Sequence, residues 1–226
     1  PLRAFPPGMV ASYSDWNYSL LGYAVEQVTG MPYAQAAEQI LFSPLGMVRS
    51  TFNQPLPVPI LSDLAVGYGW KYSKFSYEEV PHDFVRLSPG IGLVTNGDDM
   101  GTFMRAVLSG QTSNGEAFFS MKTQEHMLLR QYASHPLSRG SSYAFVENTF
   151  GGQRVMYHDG NGIGFANRMV LMPDEELGIF ISTNHRNLGE GMWVTRATGT
   201  IRSAAALILE TYFPEVEQPA AEVTPL

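Results

Sequence analysis

Phe165 to Met172 (FANRMVLM) and Leu177 to Thr183 (LGIFIST) are two β-compatible runs separated by Pro173 to Glu176 (PDEE), which is the pattern of a hairpin. Just upstream, Tyr143 to Glu147 and Gln153 to Tyr157 flank Gly151-Gly152 in the same manner. Consecutive hairpins predict an antiparallel sheet. After them the span 193–212 carries Ile201, Ala205 and Ile208 on one stripe, which predicts a terminal helix lying on that sheet.

Upstream of the hairpins the periodicity is helical. Residues after Ser14 run Tyr18, Leu21, Val25 and Val28, with Leu20 and Ala24 beside them, until Gly30 stops the stripe. Pro32 suits the first turn of a second helix, which Ala36, Ala37 and Ile40 continue and Pro44-Leu45-Gly46 breaks. Asn53 to Pro89 holds Pro55, Pro57, Pro59 and Pro81 among clustered Tyr and Trp, and so predicts mostly loop with short extended pieces over the active face. Thr95 with Asp98 makes a capping-box-like start to a third helix, whose apolar positions are Met100, Phe103, Met104, Val107 and Leu108 and whose stop is Gly110. Another helix is expected between Lys122 and Gln131. Helices first, then hairpins and a closing helix, indicate an α+β architecture, with an antiparallel sheet flanked by helices plus a helical subdomain.

The chain has 226 residues, 44% of them hydrophobic and 15% charged, enough to build a sizeable core in one domain with one or two subdomains. That domain is expected over 1–213. The tail 214–226 lacks the apolar content to pack and reads as a linker, and the proline-rich opening, Pro1 to Pro7, reads as an extended entry segment. Both ends look like cuts in a longer polypeptide. A net charge of -7 without a basic stripe argues against nucleic acid as a partner. No apolar run has the roughly 18 residues that span a bilayer. The chain has no cysteine, so thiolate catalysis and thiolate metal sites are excluded. The histidines, His82, His126, His135, His158 and His185, include no pair at metal-binding helical spacing, so no metal and no cofactor is expected. The compartment cannot be read from composition.

Two polar motifs stand out. Tyr13-Ser14-Asp15 sits at the mouth of the first helix, and His158-Asp159-Gly160 opens a strand. Together they look like two parts of a serine acyl-transfer site. The third part, a serine followed three residues later by lysine, is absent, because Lys71, Lys74 and Lys122 have Tyr68, Lys71 and Phe119 at that offset. Taken alone, Tyr13 could be a packed helix-entrance residue, Asp15 a residue favoured by the helix dipole, and His158 a structural histidine at a strand start.

The run Tyr13-Ser14-Asp15-Trp16-Asn17-Tyr18-Ser19-Leu20-Leu21-Gly22, followed by Val28-Thr29-Gly30 and Pro44-Leu45-Gly46-Met47, resembles the class C β-lactamase family, with its penicillin-binding proteins, D-amino-acid peptidases and esterases. Ser88-Pro89-Gly90-Ile91-Gly92-Leu93 before Asp98-Asp99-Met100, and His158-Asp159-Gly160 before Gly164-Phe165, extend the likeness over nearly the whole chain. The resemblance implies the β-lactamase/transpeptidase-like fold without its N-terminal part, two sheet strands and the helix bearing Ser-x-x-Lys. It also makes a periplasmic or extracellular setting plausible.

Carried over residue by residue, the likeness makes Tyr13 the general base and then acid, activated by the motif lysine, because a serine hydroxyl is a poor nucleophile without a base. Asp15 stands where the family has asparagine, which removes an amide donor to the substrate and counts against an efficient β-lactamase. His158-Asp159-Gly160 takes the place of Lys-Thr-Gly. A partly charged histidine and an acid there weaken recognition of an anionic β-lactam and resemble the esterase and peptidase branch. Gly160 would let substrate approach the strand, and the Asn161 backbone N–H would be one oxyanion donor. The implied activity is cleavage of small ester, amide or peptide substrates through an acyl-serine, with the nucleophile upstream of or outside this chain, on a complementary N-terminal segment, and this chain alone inactive. The alternative is a non-catalytic binding or regulatory relative that lost the nucleophile. An unpaired sheet edge and uncovered apolar surface are expected if that N-terminal part is absent.

Overall fold

The computed structural model describes residues 5–6, 8–10, 12–71, 73–82, 84–135, 138–162, 164–187 and 196–214. The linker-like tail beyond Pro214, most of the proline-rich opening, Tyr72, Asp83 and the residues 193–195 of the expected terminal helix lie outside the described residues.

The helical part comes first. Helix α1 spans Asp15–Thr29 and ends on Gly30, whose φ of 69° is the left-handed cap that glycine adopts without strain. Helix α2, Tyr33–Ala37, passes through a π-helical turn, Glu38–Phe42, into the short α3, Ser43–Leu45, and Gly46 closes the run at φ 73°. Pro44 is therefore carried in the first turn of α3, and Gly46 supplies the stop expected from the whole triplet. Within the proline-rich segment, α4 (Val58–Leu61) precedes a hairpin of β1 (Gly67–Lys71) and β2 (Ser76–Val80). The short helix α5, Ser88–Ile91, follows.

Helix α6 runs Gly97–Ser109, and its N-cap is Asn96, one residue after the expected start; the Asn96 side chain accepts from the Asp99 N–H at 2.9 Å. Thr95 is occupied elsewhere, sharing a 2.7 Å hydrogen bond with the Ser50 hydroxyl. Helix α7 spans Met121–Leu128.

The sheet contains β3 (Tyr132–Ala133), β4 (Gly140–Ser141), β5 (Val146–Phe150), β6 (Gln153–Gly162), β7 (Phe165–Met172) and β8 (Leu177–Thr183), antiparallel neighbours in chain order. Both expected hairpins are present, as β5–β6 and β7–β8, though the first strand spans Val146–Phe150 in place of Tyr143 to Glu147, and β6 runs past Tyr157 to pair with β7 as well. A last strand, β9 (His185–Asn187), leaves this sheet and pairs in parallel with β1, a long-range contact without a local signal. Helix α8, Arg196–Tyr212, closes the described chain.

Alternation along β6 builds two cores. Met156 packs with Met104, Val107, Phe145 and Leu171 under α6, whereas Val155 packs with Val170, Met172, Ala205 and Leu209 under α8. The buried stripe of α8 thus runs Ile201, Ala205, Leu209, in place of the expected Ile208.

Helix α1 departs furthest from its sequence pattern. Its inward face is Gly22, the one buried residue of the helix, while Leu21, Val25 and Val28 face outward with Trp16 and Leu20. Close approach to α5 sets this rotation. A Cβ on Gly22 would lie 2.5 Å from the Pro89 ring, and one on Gly90 would lie 2.8 Å from the backbone oxygen of Asp15. Small residues on both helices therefore decide which face of α1 points inward.

Candidate active site

The pairing of β5 with β6 ends at Val146 opposite Tyr157, while β6 continues beside β7 to Gly162 opposite Phe165. Residues 158–162 thus present an edge that β5 has left. Asn161 lies within this stretch, paired opposite Ala166 of β7.

The start of α1 lies against the same edge. The Tyr18 hydroxyl donates to the Tyr143 carbonyl at 2.9 Å, tying α1 to the segment that leads into β5. This contact and the α5 packing bring the Tyr13 ring within 6.1 Å of the His158 ring, centroid to centroid, at an interplanar angle of 39°. The two motifs that open α1 and β6 in sequence are therefore neighbours in space.

Their electrostatics are one-sided. The Tyr13 phenol is pushed up to about 12 by burial, then by its hydrogen bond to Asp15 and the charges of Asp15 and Tyr18. With the ring 69% exposed, solvent blunts the burial contribution, and Asp15 is the specific cause. Burial pushes the His158 imidazole below its usual range, against the opposing pull of Asp159 and Asp15. Both Tyr13 and His158 are thereby biased toward their uncharged forms.

Asp159 is placed elsewhere. It points to the α8 face, where it accepts from Arg168 at 2.6 Å and from Arg202 at 2.6 Å, and Arg168 also stacks over the Tyr157 ring. Its role is to tie β6, β7 and α8 together, so its charge does not line the cleft. Gly160 faces the site side of β6, with Asn167 opposite it on β7. Asn167 was missed in the sequence; its side-chain oxygen accepts from Ser182 at 2.6 Å, and only the β6–β7 register reveals that it shares the face of His158 and Gly160.

A cavity of about 470 Å³ opens beyond Phe165, lined by Leu61, Leu64, Val66, Val80, Pro81 and Phe165 with Glu79 and His82 at its polar margin. Phe165 lies opposite Gly162, so the cavity borders the same face of the sheet as His158. Part of the proline-rich segment accordingly lines a space next to the site. No group of three or more His, Cys, Asp or Glu among the described residues is arranged to hold a metal ion. No described helix is long and apolar enough to cross a membrane.

A model of the family described as Beta-lactamase matches residues 2–196. The PbpX protein of Bacillus subtilis (strain 168) is 31% identical over 122 residues, covering 52% of this chain and 29% of that protein. The chain spans about a third of the length of the curated relatives it matches. Among solved structures, the D-amino acid amidase of Ochrobactrum anthropi SV3 superposes with a TM-score of 0.72 at 18% identity, covering 91% of this chain and 58% of that one. The class C β-lactamase of Rhodobacter sphaeroides superposes at 0.70 and 18% identity, covering 92% and 63%. At that identity the structural likeness bears on the fold.

Proposed function

The chain belongs to the Beta-lactamase family, and from that membership we propose that it carries the acid/base and oxyanion side of a serine hydrolase acting on small esters, amides or peptides. The serine and its lysine lie outside this chain, since no lysine here has serine three residues before it. The observation that carries the reading is the convergence of Tyr13 and His158, from opposite parts of the chain, on the open edge of β6.

In the reaction, the serine oxygen bonds to the acyl carbon while the ester or amide bond breaks. The serine proton passes to Tyr13 and from there to the departing oxygen or nitrogen. Water then adds to the acyl carbon, gives its proton to Tyr13, and the serine oxygen leaves with that proton, releasing the acid. The developing oxyanion is met by the Asn161 N–H. A phenol held near 12 accepts a proton in this way only after a cation has offset Asp15. That requirement supports a lysine entering beside Tyr13, and it makes the isolated chain inactive. Asp15 in place of an amide donor, and neutral His158 in place of a lysine, favour esters and peptides over anionic β-lactams. A solved neighbour named as an amidase supports amide chemistry within this class.

The test uses the full-length protein that contains this chain. A fluorophosphonate should label a serine in a Ser-x-x-Lys context, and Tyr13→Phe should lower kcat on a p-nitrophenyl ester by about a hundredfold to ten-thousandfold. A full-length protein without such a serine, or a Tyr13→Phe enzyme of undiminished rate, overturns the reading. The first result would point to a binding or regulatory relative.

A further inference from the structure

We propose that Asn167 is a substrate-binding residue of this site, whose side-chain Nδ2 donates a hydrogen bond to an acceptor oxygen carried by the acyl part of the substrate. The proposal rests on the hydrolase reading above and names a specificity determinant for it.

The sheet register puts Asn167 where such a contact can be made. Gly160 of β6, Asn167 of β7 and Ser182 of β8 lie side by side across the sheet, on the face that carries His158. The Ser182 hydroxyl donates to the Asn167 side-chain oxygen at 2.6 Å, which turns that oxygen toward β8 and the amide nitrogen toward β6. The nitrogen reaches over Gly160, where a Cβ would lie 3.5 Å from it. A side chain at that position would cover the amide, and glycine leaves it open. Among the described residues no acceptor takes the Nδ2 protons, and the buried side-chain polar atom left without a partner is Arg168 Nε, so Asn167 Nδ2 is accessible to a ligand. The edge of β6 beside it is also free, because the pairing with β5 ends at Tyr157.

This fixed donor stands next to the catalytic pair. The Tyr13 ring lies by His158, two residues from Gly160 and so about 7 Å away along the strand. Tyr13 protonates the departing oxygen or nitrogen, which puts the leaving group at the His158 end and the acyl part at the Gly160 end. An acyl group with a carbonyl oxygen there meets the Asn167 N–H, whereas one with a methylene at the same place strips water from that donor and gives nothing back. Asp15 occupies a position where an amide would donate and a carboxylate cannot. Asn167 supplies a donor of that kind from a different strand.

The rival role for Asn167 is structural, a cross-strand pair with Ser182 that steadies the sheet and affects every substrate alike. The full-length protein, its Asn167→Leu and Ser182→Ala variants, and two esters separate the roles. The esters are p-nitrophenyl 4-oxopentanoate and p-nitrophenyl 4-methylpent-4-enoate, in which CH2 replaces the ketone oxygen. After correction for their hydroxide-catalysed rates, kcat/KM of the wild type should favour the ketone by about threefold to tenfold. Asn167→Leu should bring that ratio to about one, and Ser182→Ala should lower it by freeing the amide to turn. A wild-type ratio near one, or a ratio that survives Asn167→Leu while both rates fall together, overturns the proposal and leaves the hydrolase reading standing. Should Asn167→Leu prove inactive or unfolded, Ser182→Ala decides: a lowered ratio supports the proposal, and an unchanged one overturns it. Failure of the wild type to turn over either ester, without fluorophosphonate labelling, removes the hydrolase reading itself and this proposal with it.

Discussion

Tyr13 keeps its proton because of where its hydroxyl rests, and Asp15, two residues on, is the specific reason. The expected consequence is spectroscopic. With carbon-13 at the tyrosine ring, the Tyr13 resonance should titrate with a midpoint near 12, and Asp15→Asn should bring it down toward the usual 10 by removing the carboxylate's hydrogen bond and charge. An unchanged midpoint would leave burial as the whole cause and remove Asp15 from the site's electrostatics. At this scale much was legible in advance: Tyr13, Asp15, His158 and Gly160 were all candidates from their motifs. That His158 and Asp159 face opposite sides was also readable, because neighbours on a strand alternate. The arginines that hold Asp159 were not readable, since Arg202 reaches it from a helix more than forty residues later.

Among the elements, β6 joins β5 to β7, and Glu147 on β5 anchors its first half. Glu147 is buried and accepts from Arg130 at 2.6 Å and from Arg154 at 2.9 Å; Arg154 also donates to the Leu128 carbonyl at the end of α7. Burial works against the ionised Glu147, yet the hydrogen bonds and charges of Arg154 and Arg130 outweigh it and hold the carboxyl below its usual range. A carboxylate whose proton affinity is lowered on folding contributes stability above its unfolded midpoint, near 4.5, and loses it as pH falls through the lower folded value. Glu147→Gln should therefore cost on the order of 3 kcal/mol at pH 7, because it leaves two half-buried arginines without their acid. In urea unfolding, the gap between variant and wild type should narrow as the pH drops below about 4.5; a gap that stays constant with pH would contradict this. The strands here were predictable from alternation and turn residues, which are local. The cap of α6 was displaced by one residue because Ser50 claims Thr95 and leaves Asn96 to meet the first turn.

At the scale of the molecule, α1 shows an apolar face to solvent, with Trp16 72% and Val28 87% exposed, and β8 has β7 on one side but no strand on the other among the described residues. Exposed apolar stripes and long free edges promote association. These 226 residues prepared by themselves should self-associate in sedimentation velocity and bind a hydrophobic dye, and a monomeric, dye-silent preparation that unfolds cooperatively would refute the expectation. The order of α1, α2, α6, α7, β5 to β8 and α8, the hairpin turns, the acidic charge balance and the choice of candidate site residues came from the sequence itself, because each depends on neighbours within a few positions. Tertiary structure alone decided which face of α1 points inward, that β9 joins β1, that Asp159 serves α8, that Tyr13 lies beside His158, and that Asn167 shares the face of His158 and Gly160. Those outcomes depend on glycine-to-proline contacts and ladder register between segments far apart in the chain, and no local pattern of side chains encodes them.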